Sequence, residues 1–219
     1  MTEGPARHND LVTSPPASTT QAHLRRRALL LEYGTMAWNA GEAVLTIALG
    51  SVAGSLALIG FGTVSIVELF ASGVVVWHVR SDEDAQPART KTALRLISLA
   101  FAVLGLALIA AAVSDLTSGR RAGESPWGIA YLAVTALVMF SLAIVKKRTA
   151  KGLGSAPLAS EATVTFLDGI LSVTTLAGLA LNATLGWWWA DPVAALLVAV
   201  AALNEAREAW FEAAPDVED

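Results

Sequence analysis

Six long apolar stretches dominate this sequence and limit the folds that are open to it. Each is about 17–25 residues long, the length that an α-helix needs to cross the ~30 Å hydrocarbon core of a bilayer. The composition agrees, because 54% of the residues are hydrophobic and only 16% are charged, whereas soluble domains carry about 25% charged residues. We therefore predict an all-α membrane protein, a six-transmembrane-helix bundle. The predicted spans are Leu31–Ser51, Ser55–Val79, Ala93–Val113, Ile129–Val145, Glu161–Leu185 and Asp191–Glu208.

The distribution of Lys and Arg predicts the orientation of the bundle, since basic residues favour cytoplasmic loops. Basic residues cluster before the first span, between the second and third, and between the fourth and fifth. They are Arg25, Arg26 and Arg27; Arg80, Arg89, Lys91 and Arg95; and Lys146, Lys147, Arg148 and Lys151. On the opposite side only Arg120 and Arg121 appear. Both termini are therefore expected in the cytoplasm.

Three segments follow from this organisation. Residues 1–24 are rich in Pro, Ser and Thr and are expected to form a disordered cytoplasmic tail. Residues 25–210 form the transmembrane domain, and residues 211–219 form an acidic C-terminal tail. The loop at residues 80–92, which contains Asp82, Glu83 and Asp84, is interpreted as a solvated connector in preference to a metal-collecting loop.

The outer end of the bundle is expected at the aromatic block Trp187–Trp189, because indole rings prefer the membrane interface. Tyr131 is expected to mark the outer start of the fourth span in the same way. Asp191 and Pro192 are typical of a helix start, with Asp as N-cap and Pro at the first helical position. We therefore predict a structural role for Asp191.

The acids inside the predicted spans require an explanation. Glu42, Glu68 and Asp168 each lie about eight to ten residues from the cytoplasmic end of their helix, which is about 12–16 Å at 1.5 Å per residue. All three should therefore lie near the midplane of the membrane, on three different spans. An ionisable side chain there costs about 2.5–3.5 kcal/mol on insertion scales. Two further acids are expected closer to the cytoplasm, Glu161 at the entrance of the fifth span and Glu32 at the headgroups.

Polar residues recur on one face of three spans, at the three-, four- and seven-residue intervals of a helix. They are Glu32, Thr35, Asn39, Glu42 and Thr46 on the first span, Ser65, Glu68 and Ser72 on the second, and Glu161, Asp168, Ser172, Thr175 and Asn182 on the fifth. Lipid would not accommodate these faces, so we expect them to face one another.

Two explanations of the buried acids remain open. In the first, converging carboxylates form a pathway for a divalent cation, since hard oxygen ligands suit Mg, Mn and Zn. An empty site would then hold protons, which an arriving cation expels. In the second, each acid is protonated and hydrogen-bonded to a polar residue of the next helix, and serves only to hold the helices together.

Several other functions are excluded by the residues that are missing. The chain has no cysteine, so thiolate metal sites and cysteine nucleophiles are ruled out. Its three histidines do not lie deep in the predicted spans, which disfavours imidazole metal cages. No histidine base or glycine-rich phosphate loop lies within reach of the acids, so we do not expect an enzyme. We expect no permanently bound cofactor and no nucleic-acid partner.

The arrangement resembles a known family. The block Trp187–Pro192 and the apolar run that begins at Asp168 resemble the sixth and fifth spans of the cation diffusion facilitator (cation efflux) family. Residues 55–68 resemble its second span, and residues 31–43 fit the first span of short bacterial members. The resemblance covers residues 25–210 and so only the transmembrane domain; the family also has a cytoplasmic C-terminal domain, of which we expect no counterpart.

The resemblance implies a homodimeric antiporter that exchanges divalent metal ions, such as Zn or Mn, for protons. It also implies a pair of metal ligands on the second span and another on the fifth. Carried over by position, these pairs fall on Val64 and Glu68, and on Val164 and Asp168, so that each pair keeps one acid. Glu161 corresponds to an acid that the family often has before the second pair, and Glu42 is a possible further donor.

The sequence therefore predicts a transporter of divalent metal cations in the inner membrane, driven by proton exchange. The predicted metal ligands are Glu68 and Asp168, with Glu161 and Glu42 in support. The expected partners are a divalent metal ion, protons, the lipid bilayer and a second copy of the chain. The alternative, supported by Val64 and Val164, is a degenerate, non-transporting membrane protein that uses the same fold for dimerisation or for binding a partner.

Overall fold

Six α-helices account for nearly all of the part of the chain that the structure describes. The structure is a computed structural model, and it describes residues 17–53, 56–81, 86–119 and 126–214. The helices are α1 (Ala17–Ala53), α2 (Leu56–Val79), α3 (Gln86–Ser118), α4 (Pro126–Leu153), α5 (Ala156–Leu185) and α6 (Ala190–Glu212). These described residues contain no β-strand, and the predicted six-helix, all-α class is confirmed.

Four of the helices contain segments that are long and apolar enough to cross a membrane, counted over the described ranges. These segments are Gly62–Val79, Ala88–Ser118, Ala130–Leu153 and Ala156–Asn182, in α2, α3, α4 and α5. The other two helices have more polar sequences: α1 carries Glu32 and Glu42 within its apolar stretch, and α6 has Asp191 near its start and Glu205 near its end. The protein is therefore a membrane protein.

Several helices extend beyond the predicted spans, and two of these extensions change the predicted organisation. Helix α1 begins at Ala17, so residues 17–24 of the expected disordered tail are helical. Helix α4 ends at Leu153, about two turns beyond the predicted end at Val145. Residues 1–16 and 215–219 and the acidic loop residues Asp82–Asp84 lie outside the described residues, so the expectations for them stay untested.

The connection between α4 and α5 is a tight turn of two residues. Gly154 has a φ of +63°, a left-handed conformation that glycine adopts without a steric cost. Ser155 caps α5, because its side chain accepts a hydrogen bond from the Leu158 N–H at 3.4 Å. Pro157 fits the first turn of a helix, where its missing N–H is not needed. The long arms of α4 and α5 therefore lie directly beside each other.

The helices pack mainly as three pairs, α1 with α2, α3 with α6, and α4 with α5. Helix α2 also contacts α3 and α5, and α5 also contacts α3 and α6. Because α5 contacts four helices and α2 contacts three, the side chains between α2 and α5 are removed from the surface of the bundle.

The outer turn between α5 and α6 differs from the prediction in its cap. Gly186 has a φ of +70° and its N–H donates to the Asn182 carbonyl at 3.0 Å, which closes the end of α5. The rings of Trp187 and Trp189 then stack with their centroids 5.3 Å apart. The N-cap of α6 is Trp189, with no capping side chain, and Asp191 lies inside the first turn. The N-cap prediction for Asp191 was therefore wrong. An acid in the first turn still interacts favourably with the helix dipole.

Candidate functional site

The polar faces of α1, α2 and α5 point into the bundle, as expected, except that Thr175 and Asn182 on α5 are only partly buried. Each of the following side chains is at most 4% exposed: Glu32, Thr35, Asn39, Glu42 and Thr46 on α1; Ser65, Glu68 and Ser72 on α2; and Glu161, Thr165, Asp168 and Ser172 on α5. Burial without hydrogen bonds would be costly for groups of this kind. The site is therefore described by which of these groups have hydrogen-bond partners and which do not.

A central cavity brings together the four positions singled out by their resemblance to a metal site. Val64 and Glu68 of α2 and Val164 and Asp168 of α5 all line it. The rest of its wall is apolar and is formed by Leu104, Leu108, Leu167, Leu171 and Val198. The two acids therefore share a space that has few other polar groups.

Each of the two cavity acids has one oxygen without a partner. Glu68 Oε1 accepts a hydrogen bond from the Thr165 hydroxyl at 2.6 Å. Glu68 Oε2 and Asp168 Oδ2 are both buried and have no hydrogen-bond partner among the described residues. Buried polar atoms are nearly always paired in folded proteins. These two unpartnered oxygens belong to residues that line the same cavity, so they are the candidates for binding a cation or protons.

Glu42 has partners of its own at the same level. Its Oε2 accepts from Ser65 at 3.0 Å, and its Oε1 accepts from the Tyr131 hydroxyl. Tyr131, which the sequence placed at the membrane interface, thus reaches a buried acid across the bundle. The glutamate joins α1 to α2 and to α4, so the interhelical role left open for the buried acids applies here.

A buried lysine is the part of the site that the sequence did not predict. Lys146 was assigned to the cytoplasmic loop, but the longer α4 places it inside the bundle with a side chain that is 0% exposed. Its Nζ lies 2.6 Å from Glu161 Oε1, 3.3 Å from Glu32 Oε2 and 3.2 Å from Thr165 Oγ1. An ammonium group in such surroundings needs carboxylates, because burying an unpaired charge is very costly.

Two acids are more deeply buried than expected. Glu161, near the start of α5, and Glu32, expected at the headgroups, are both 0% exposed. The Ser72 hydroxyl also donates to Glu161 Oε1, at 3.0 Å. The buried ion cluster, by which we mean Glu32, Lys146, Glu161, Ser72 and Thr165, consequently ties together α1, α2, α4 and α5.

One signal in the sequence could have indicated the lysine. The buried positions of α4 follow one another at intervals of four, four, three and four residues: Thr135, Met139, Ala143, Lys146 and Ala150. Such intervals keep one face of a helix. Extending that face past Val145 would have placed Lys146 toward the other helices and not toward water.

The four predicted metal ligands are thus divided among three places. Glu68 and Asp168 share the cavity, Glu42 is held by Ser65 and Tyr131, and Glu161 is paired with Lys146. Within the ranges that the structure describes, no three His, Cys, Asp or Glu side chains are grouped so that they could hold a metal ion. Any cation in the cavity would therefore have two carboxylates as its protein ligands.

Comparison with known proteins adds one finding to this geometry. The family described as the cation efflux transmembrane domain matches residues 35–216, which is most of the chain. That range begins in α1, ends after α6 and includes both cavity acids. Among curated proteins no match was found.

Proposed function

Because this chain belongs to the cation efflux family, we propose that it exports a divalent metal cation across the cytoplasmic membrane in exchange for protons, with Glu68 and Asp168 as the cation ligands. Membership of the family makes the protein a metal cation transporter and not an enzyme. The proposal adds the ligands, the coupling to protons and the class of ion. Zn or Mn is the expected substrate, since both accept carboxylate oxygens.

The observation that carries the proposal is the pair of open oxygens in the cavity. Glu68 Oε2 and Asp168 Oδ2 lack partners, and they belong to two helices that face each other across the same space. With Leu104, Leu108 and Val198 around them, a cation there has little competition from other polar groups. Two carboxylates can supply part of the coordination of a divalent ion.

Exchange with protons follows from the charge of the same cavity. Two carboxylates in an apolar space repel each other unless something positive neutralises them. Either a divalent cation or protons can do so, and the arrival of one favours the departure of the other. Glu42 and Glu161 are held by Tyr131 and Lys146, so we assign them supporting roles outside the first coordination shell.

The experiment is metal flux in proteoliposomes that contain the full chain. Glu68→Gln and Asp168→Asn are each expected to abolish proton-coupled Zn²⁺ or Mn²⁺ flux, while the proteins still fold and elute like wild type. Glu212→Gln is the matched control, because Glu212 is an exposed acid at the end of α6. Full flux in both cavity variants would refute the proposed site.

The two valines that line the cavity support a second candidate function. Val64 and Val164 are 5% and 2% exposed and occupy the two positions at which the related transporters are expected to have ligands. A non-transporting protein that keeps the fold for dimerisation or partner binding would be consistent with this loss. Calorimetry with Zn²⁺ and Mn²⁺ discriminates: metal binding by the Val64→Asp/Val164→Asp variant together with no binding by wild type would favour this second function.

A further inference from the structure

The donors and acceptors present in the buried ion cluster determine the direction of one of its hydrogen bonds. A lysine ammonium has three donors and no acceptor, so the 3.2 Å contact between Lys146 Nζ and Thr165 Oγ1 has the threonine oxygen as acceptor. A threonine hydroxyl has a single hydrogen to donate. Thr165 has two carboxylate oxygens within reach, Glu68 Oε1 at 2.6 Å and Glu161 Oε1 at 3.2 Å.

The contacts of Lys146 determine which of these two oxygens accepts the Thr165 hydrogen. Glu161 Oε1 already accepts from Lys146 at 2.6 Å and from Ser72 at 3.0 Å. Its capacity to accept is therefore largely taken, and the shorter contact directs the Thr165 hydrogen to Glu68. Once Oε1 of Glu68 is held in this way, its second oxygen, Oε2, is the one left without a partner, on a side chain that lines the cavity.

We propose that Lys146 is a positioning residue for transport: its ammonium is held by one oxygen of Glu32 and one of Glu161, and through Thr165 it orients Glu68 for binding the cation. The inference rests on the proposed function, because it assumes that Glu68 is a cation ligand. It assigns a role in cation affinity to two residues, Lys146 and Thr165, that do not touch the cation themselves. A fixed ligand binds more tightly than a mobile one, since less conformational freedom is lost on binding.

The geometry also says what happens without the lysine. If no ammonium occupies Glu161 Oε1, that oxygen is free to accept from Thr165, four residues further along the same helix at 3.2 Å. Glu68 Oε1 would then lose its donor, and the carboxylate would be free to rotate. Loss of Lys146 and loss of the Thr165 hydroxyl should therefore weaken cation binding in the same way.

The first test uses threonine variants, which leave the Lys146–Glu161 pair in place. Thr165→Val removes the hydroxyl at nearly constant volume, and Thr165→Ser retains it. In Zn²⁺ flux measured in proteoliposomes, Thr165→Val is expected to raise KM about tenfold, with a smaller change in maximal rate. A tenfold change corresponds to the free energy of about one hydrogen bond to a charged group. Thr165→Ser is expected to restore the low KM.

A matched control lies two residues away on the same helix. The Thr163 hydroxyl bonds to the Ala159 carbonyl of its own helix at 3.4 Å and has no part in the cluster. Thr163→Val should therefore keep the wild-type KM. If Thr165→Val also kept the wild-type KM, the positioning role would be refuted.

The second test separates positioning from neutralisation of charge. Lys146→Met/Glu32→Gln removes one positive and one negative group, so the formal charge of the buried ion cluster is unchanged. This variant is expected to raise the KM for Zn²⁺ as Thr165→Val does, because Thr165 can then turn to Glu161. A wild-type KM in this variant would mean that Lys146 only balances charge, and would overturn the proposal.

The two proposals can fail separately in these measurements. Flux that survives in Glu68→Gln and Asp168→Asn refutes the proposed function, and the positioning role with it. Flux that is lost in both of those variants, together with an unchanged KM in Thr165→Val, refutes only the positioning role of Lys146.

Discussion

At the scale of single residues, the buried ion cluster is the most demanding arrangement in the chain. Lys146 lies among two acids at 2.6 and 3.3 Å, and all three side chains are 0% exposed. A buried ion pair contributes little net stability compared with apolar residues, but removing one member leaves the others uncompensated. The cluster is therefore a point at which a single substitution has a large effect.

The first prediction concerns that lysine. Lys146→Met should lower the free energy of unfolding by about 3–5 kcal/mol, because Glu32 and Glu161 lose their counter-charge in the interior. Thermal unfolding in detergent measures the change as a lower Tm. Lys147→Met is the control, since the neighbouring Lys147 is exposed; equal Tm values for the two variants would contradict the prediction.

The second prediction concerns Glu42, whose two oxygens accept from Ser65 and Tyr131. Tyr131→Phe removes one of these donors from a buried acceptor, which should destabilise the protein by about 1–3 kcal/mol but leave Zn²⁺ flux in place. Thermal unfolding and flux are measured on the same preparation. The chain has one other tyrosine, the exposed Tyr33, and Tyr33→Phe should affect neither quantity. Loss of flux in Tyr131→Phe without loss of stability would instead make Glu42 part of the cation site.

At the scale of helices, the outer ends of α5 and α6 approach each other very closely. A Cβ atom added at Gly178 of α5 would lie 2.5 Å from Asp191 Cβ and 2.9 Å from Asp191 Cα. Both distances are below van der Waals contact, and one involves backbone that cannot move aside by changing a rotamer. Glycine at position 178 is thus a condition for this helix packing.

The third prediction follows from that contact. Gly178→Ala should separate α5 from α6 and lower the Tm in detergent, although alanine normally favours a helix by about 0.5–1 kcal/mol over glycine. Gly41→Ala is the matched comparison, because a Cβ at Gly41 in α1 meets nothing within 4 Å. Its Tm should stay the same or rise. A fall in Tm for Gly41→Ala as large as that for Gly178→Ala would mean that the close approach is not the cause.

The helices themselves were largely readable from the sequence, and their ends were not. Apolar length predicted six helices because length and hydrophobicity are local properties of the chain. The end of α4 was misjudged because Lys146 was assumed to need water, whereas two acids from distant helices satisfy it inside the bundle. Glu68 and Asp168 were predicted to share a site, and they do line one cavity. The partners of Glu42, Glu161 and Glu32 depend on tertiary packing, which no local pattern contains.

At the scale of the whole molecule, the buried acids belong to three groups. The cavity pair on α2 and α5 is joined to the buried ion cluster through Thr165, and Glu42 with Ser65 and Tyr131 forms the third. Arginine side chains lie over aromatic rings elsewhere on the bundle, with Arg80 5.5 Å from the Tyr33 ring and Arg89 5.0 Å from the Trp77 ring. Pairs of this kind suit a membrane interface, and these two are at the ends predicted to be cytoplasmic.

The fourth prediction concerns assembly. Large apolar side chains such as Val44, Leu137 and Leu197 are 70–72% exposed on the single chain, where lipid or a second copy can cover them. The family resemblance implies a homodimer. The mass of the protein in lipid nanodiscs, corrected for lipid and scaffold, should therefore be twice the 22.8 kDa of one chain. A mass of one chain at all protein concentrations would contradict this expectation.

The two-residue turn at Gly154 and Ser155 has a mechanical consequence. So short a connection leaves α4 and α5 little freedom to swing apart, and Lys146 and Glu161 lie on its two arms at 2.6 Å. Helices α4 and α5 are therefore expected to move together, as one hairpin, in a conformational change. The contact of Lys146 with Glu32 on α1 is longer, at 3.3 Å, and it joins that hairpin to a separate helix. If the cavity opens toward the cytoplasm, the contact between Lys146 and Glu32 is the place where the α4–α5 hairpin separates from α1.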